Sequence, residues 1–123
     1  MKKFYLVSLL VMVVCMGMYA DSTEDAQFKQ YVKLTRNHKN NPEGMTVYAD
    51  YTYRIMYVAM PIAINYSDVT PQVLKAMKSE MLKGIAKEKA DCKIIKDLKI
   101  SIVYTFITSD KRIFTVSFSH KDL

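Results

Sequence analysis

Cys92, His38 and His120 are the side chains of this sequence best suited to nucleophilic catalysis. A thiol becomes a working nucleophile when a base stands within hydrogen-bond reach and a third group orients that base. Nothing in the spacing of these three selects that picture. His38 lies in "NHKNNPEG", a run of turn-forming residues, and His120 is three residues from the last one. Cys92 is therefore expected to serve as a small packing residue. Metal chemistry has no better footing, because no pair of His, Cys or acidic residues has a recognised ligand spacing. With only three glycines in 123 residues, there is neither a phosphate-cradling loop nor a Gly-x-Ser-x-Gly elbow. The expectation is a non-enzymatic protein with no cofactor and no metal; a small hydrolase built on Cys92 is the minority class.

Binding chemistry has more material. Tyr48, Tyr51, Tyr53, Tyr57 and Tyr66 crowd one region, and tyrosine offers apolar area with a polar tip. They form either a recognition surface or a sheet face packed under helices. Lys75, Lys83 and Lys87, followed by Lys93, Lys96 and Lys99, make a one-signed flank. That flank is either a solvated face or a contact for an acidic partner or an anionic lipid. The candidate binding residues are Tyr48, Tyr51, Tyr53, Lys75, Lys83 and Lys87. Asp50 and Arg54 share the polar side of the same stretch, too far apart along a strand to pair, and both are expected in solvent.

The N-terminus says where the chain works. "MKKFYLVSLLVMVVCMGMYADS" gives two lysines, an apolar run, a small residue and a polar restart, the order of a secretory signal peptide cut after Ala20. Met18 is bulky for the position three before the cut. An uncleaved anchor and a lipid on Cys15 are the competing readings. Cleavage would leave one domain, 21–123, with Cys92 as its only cysteine and hence no internal disulfide. Two of the six excess positive charges, Lys2 and Lys3, would leave too. No basic block reaches five residues, so nucleic acid is not an expected partner. The protein is expected to be periplasmic or secreted, with no membrane span after processing.

The elements that must position these residues follow from periodicity. Ser22 with Asp25 reads as a capping signature, and Phe28, Tyr31, Val32 and Thr35 recur at helical spacing, predicting a helix over 23–37. From 46 to 65 the residues suit strand, yet the apolar set sits at odd positions up to Tyr57 and at even positions from Val58. One residue out of step reverses every side chain. A bulge or bend near Tyr57, helped by Pro61, is expected, giving 46–56 and 58–65 as two parts of a bent strand or as successive strands. The lack of Gly, Asn or Asp between them weighs against a hairpin. Thr70 caps and Pro71 opens a helix reaching about residue 88, with Val73, Leu74, Met77, Met81 and Ile85 as its apolar stripe and Gly84 as its weak point. "KISIVYTFI", "TSDKR" and "IFTVSFS" then predict an antiparallel hairpin. The predicted fold class is α+β: a single antiparallel sheet, made of the bent strand and the C-terminal hairpin, packed against two helices.

The run "DCKIIKDLKISIVYTFITSDKRIFTVSF" resembles small exported bacterial domains, including the quorum-sensing-regulated virulence factor family. The matching positions are Cys92, Leu98, Tyr104 with Phe106, and Phe114 with Val116. The resemblance covers about the last 35 residues and implies a small exported fold without an established reaction. Relatives commonly close with a second Cys that could pair with the first, whereas this chain ends "SFSHKDL". The functional expectation is an exported, non-enzymatic domain binding a protein of the envelope or a secreted protein. The alternative is an inhibitor or immunity-type protein that fills the active site of a toxin or protease.

Overall fold

The computed structural model describes residues 23–123; the expected export segment 1–20, its cut after Ala20 and Cys15 lie outside them. Helix α1 runs Glu24–Arg36. Its cap is Thr23, whose Oγ1 accepts from Ala26 N at 3.2 Å, one residue on from the expected Ser22, which also lies outside the described residues. Glu24 and Asp25 occupy the first turn, where the helix dipole favours acids, and Lys33 and Arg36 the last. Phe28, Tyr31, Val32 and Thr35 point inward, the stripe their spacing predicts.

The tyrosine-rich stretch is a hairpin. Strand β1 spans Thr46–Asp50, β2 spans Ile55–Pro61, and the two pair antiparallel from Thr46↔Ala59 to Asp50↔Ile55. The break therefore falls at residues 51–54, not near Tyr57, and Pro61 ends β2 rather than bending it. Partners in this register have numbers of opposite parity, so one face of the sheet takes odd residues from β1 and even residues from β2. That is the physical origin of the swap in the sequence. The turn needs no glycine or asparagine because Asp50 itself builds it. Its Oδ1 accepts from Thr52 N and Tyr53 N, each at 3.0 Å, and Arg54 takes the left-handed conformation at φ 53°.

Helix α2, Pro71–Lys87, is capped by Thr70, whose Oγ1 accepts from Val73 N at 3.2 Å, and runs through Gly84. A third helix, α3, follows at once over Lys89–Leu98, one more than the two expected. It ends on Lys99 in the left-handed region at φ 56°, with the Lys99 N–H capping carbonyls of Ile95 and Lys96. Strands β3, Ser101–Ile107, and β4, Ile113–Ser119, form the predicted antiparallel hairpin. A short 3-10 turn over Tyr66–Asp68 precedes α2, and another over His120–Asp122 follows β4.

The four strands lie in the order β1-β2-β3-β4. The α+β class with one sheet and helices packed on it stands as expected; the sheet is mixed, since the central pair β2 and β3 runs parallel, Ile55↔Ser101 to Pro61↔Ile107. The physical reason is the connection: α2 and α3 carry the chain back to the end of the sheet where β2 began, and parallel neighbours need a long crossover of that kind. The helix-covered face collects Val47, then Met56, Val58 and Met60, then Ile102, Tyr104 and Phe106, then Phe114, Val116 and Phe118, all buried. Met77, Met81 and Ile85 of α2 and Ile95 and Leu98 of α3 join the same apolar cluster.

Candidate binding face

The other face of the sheet carries no helix among the described residues. Its side chains stand in cross-strand rows fixed by the register: Tyr48, Tyr57, Val103, Ser117 in one; Thr46, Ala59, Thr105, Thr115 in the next. Ile55, Ser101 and Ser119 lie at one end, and Pro61, Ile107 and Ile113 at the other. Apart from Asp50, whose carboxylate is occupied in the turn, no strand residue on this face carries a charge, in a chain that is 24% charged. Tyr48 is 58% exposed and stacks on Tyr57 with ring centroids 5.2 Å apart at 15°. Ile113 is 60% exposed at the far corner. The face is thus apolar and hydroxyl-bearing, with rigid aromatic area at one edge.

Tyr51 and Tyr53 belong to the turn. Tyr53 is 74% exposed at the tip. Tyr51 folds back edge-on to Phe28 of α1, centroids 5.7 Å apart at 74°, with Lys29 Nζ 5.6 Å from its ring centroid. Between this turn and α1 is a recess of about 250 Å³ lined by Asp25, Phe28, Lys29, Tyr51 and Thr52. Tyr66 stands elsewhere, under the guanidinium of Arg112 at 4.3 Å.

The lysine flank does not join the tyrosines. Met77, Met81 and Ile85 turn α2 toward the covered face, so Lys75, Lys83 and Lys87 point into solvent beyond the helix layer, with the sheet between them and Tyr48. Lys83 lies 3.7 Å from Glu80, and Lys93 pairs with Asp97. The six candidate binding residues therefore divide into three places: one on the open face, two at the turn, three behind the helices.

Arg54 is not in solvent as expected. It forms ion pairs with Glu24 at 2.9 Å and Asp25 at 3.1 Å, and its Nη1 donates to Leu98 O at 3.2 Å. Those bonds, Glu24 first and then Asp25, raise its pKa further. Asp50, likewise expected in solvent, is the acceptor at the centre of the turn. The Arg54 contacts gave no sign of themselves, because Glu24, Asp25 and Leu98 are all distant from it in sequence.

Cys92 is half-buried and free, in a shallow depression of about 300 Å³ with Ala86, Lys89, Lys93, Lys96 and Asp97. Among the described residues no hydrogen bond joins it to a histidine: His38 Nδ1 accepts from Asn40 N at 3.1 Å, and the buried His120 Nδ1 has no hydrogen-bond partner. Among the described residues no three His, Cys, Asp or Glu side chains form a metal-holding group, and no helix is long and apolar enough to cross a membrane. The open-face residues of β3 and β4 are the ones that sequence reasoning missed. Their signal was the uncharged alternate set Ser101, Val103, Thr105, Ile107 and Ile113, Thr115, Ser117, Ser119, less apolar than the buried set Ile102, Tyr104, Phe106 and Phe114, Val116, Phe118 opposite it. Comparison with protein-family models, curated proteins and solved structures finds no match to this chain.

Proposed function

We propose that this protein is a non-enzymatic binding domain, exported to the envelope or beyond, that docks another protein on the open face of its sheet. The observation carrying this reading is the composition of that face: tyrosine, serine, threonine and aliphatic side chains, and no free charge. Such surfaces bind by rigid aromatic area and adaptable hydroxyl hydrogen bonds at low cost in side-chain entropy. A solvated sheet face with no partner has no need to exclude lysine and glutamate, the residues depleted at interface centres. The N-terminal charge and hydropathy pattern supports the location.

The test is recovery of a partner from an envelope fraction with protein expressed from the complete sequence. Tyr48→Ala is expected to weaken the complex by about tenfold or more, the loss of one aromatic anchor. Thr105→Arg, which places a charge in the middle of the face, is expected to abolish it, while Lys83→Glu on the helix side leaves it intact. If Thr105→Arg folds normally and still binds, the open face is not the site.

A further inference from the structure

The two edges of the sheet are finished differently. At β1 the edge is short, and Arg36 Nε of α1 donates to the outward Val47 carbonyl at 2.9 Å. At β4 there are seven residues without a charge, a proline or a break in register with β3. Lysine, proline and bulges are the usual guards of an edge strand, and β4 has none of them.

Its free groups can be assigned. Thr108 N donates to Arg112 O at 2.8 Å and His120 N to Ile100 O at 3.1 Å. Those bonds bracket the hairpin and make the even residues of β4 the ones hydrogen-bonded to β3, as alternation in an antiparallel pair requires. The odd residues turn N–H and C=O away from the sheet. Ser119 N already donates to Asp122 Oδ2 at 2.9 Å, which closes the ladder at that end. What remains is three successive donor and acceptor sets, on Ile113, Thr115 and Ser117, centred on Thr115.

We propose that β4 pairs antiparallel with β4 of a second copy of this chain, across a two-fold axis at Thr115. In this register Thr115 faces Thr115 and exchanges both backbone bonds, and Ile113 faces Ser117 twice over, so every free group of both copies is used. The set is self-complementary, as an isologous contact must be. Partners have the same parity, so the covered and open faces of the two copies stay on their own sides. Lys111 falls opposite Ser119 of the second copy and Lys121 opposite Ser109, so no like charges meet. The result is an eight-stranded sheet with its open faces continuous. The inference rests on the β4 edge alone and not on what the open face binds.

The test uses protein expressed from the complete sequence with Cys15→Ser and Cys92→Ser together as background. A hydrogen-bonded antiparallel pair sets its Cα atoms about 5.5 Å apart, inside the range a disulfide spans. Thr115→Cys is therefore expected to form a covalent dimer on mild oxidation. Ser117→Cys alone is not, but cross-links when mixed with Ile113→Cys. In sedimentation equilibrium the parent protein is expected to reach twice the chain mass, and Thr115→Lys, which sets two cations face to face, to remain at the single-chain mass with unchanged far-UV circular dichroism. A parent protein monomeric at every concentration would overturn the proposal. So would Thr115→Cys cross-linking no better than Ser117→Cys, or cross-linking to a different protein.

Discussion

Arg54 occupies a backbone conformation that side chains other than glycine seldom adopt, at φ 53°, and its surroundings show what holds it there. The guanidinium reaches Glu24, Asp25 and the Leu98 carbonyl, and the Arg54 carbonyl accepts from Ser101 N at 3.0 Å. One residue thus ties the β1–β2 turn to the start of α1, the end of α3 and the start of β3. The acids are well exposed, so each ion pair contributes at most about 1 kcal/mol. The bond to the carbonyl lies in a more sheltered place and contributes about 1.5–3 kcal/mol. Arg54→Ala loses the bonds and keeps the backbone strain, whereas Arg54→Gly loses the bonds and relieves it. Arg54→Gly is therefore expected to be more stable than Arg54→Ala by about 1 kcal/mol, with both below the parent protein. Urea unfolding midpoints of the three proteins check the order; equal midpoints would mean that the φ value carries no strain.

At the scale of elements, the loop between β3 and β4 is fastened to the segment leading into α2. Asp110 Oδ1 accepts from Thr108 Oγ1 at 2.6 Å and from Tyr66 N at 3.0 Å, and Ser109 N donates to Ile64 O at 2.9 Å. The Thr108 hydroxyl, and after it the Tyr66 N–H, hold the Asp110 carboxyl below its ordinary pKa. A carboxyl whose pKa is depressed by folding adds stability above its unfolded value, near 3.9. That contribution is lost as pH falls through the lower folded value. Asp110→Asn should accordingly show a shallower fall of melting temperature below about pH 4 than the parent protein, with the two curves parallel at neutral pH. Melts recorded across that range measure it, and curves parallel throughout would remove Asp110 from the acid response. None of these contacts was legible beforehand, because "TSDKR" advertises a turn but not the distant segment to which the turn is pinned.

For the whole molecule, stability rests on packing. Cys92 is the single cysteine among the described residues and is free, so no cross-link restrains the unfolded chain there. The centre of the core is a set of stacked rings: Tyr104 with Phe106 at 6.0 Å, Phe106 with Phe114 at 5.2 Å, and Tyr104 with Phe118 at 6.2 Å. Burial, with the charge of Asp91 second, pushes the Tyr104 phenol far above its usual range. Phe106 is fully buried and touches two of these rings. Its truncation to alanine is expected to cost about 3–5 kcal/mol, a large part of the roughly 5–15 kcal/mol that holds a domain of this kind together. Guanidinium unfolding of Phe106→Ala, with an unchanged slope and a lower midpoint, checks this; a change below about 1 kcal/mol would show that the rings are not one cooperative core.

The sequence by itself determined the local terms. Thr70 and Pro71 set the start of α2, alternation at Ile102, Tyr104 and Phe106 made β3, and the charge-poor composition of the alternate set was there to be counted. Each of these follows from residues within a few positions of one another. Only the tertiary structure decided the rest: that Arg54 keeps its place in the turn through Glu24, Asp25 and Leu98, and that β2 and β3 run parallel; the helix over "KADCKIIKDL" was there in the spacing of Asp91, Ile95 and Leu98, which are buried. A strand's own residues mark which of its faces is apolar, as the burial of Ile102, Tyr104 and Phe106 shows, but they do not say which strands become its neighbours or in which direction those run, because such partners are distant in sequence.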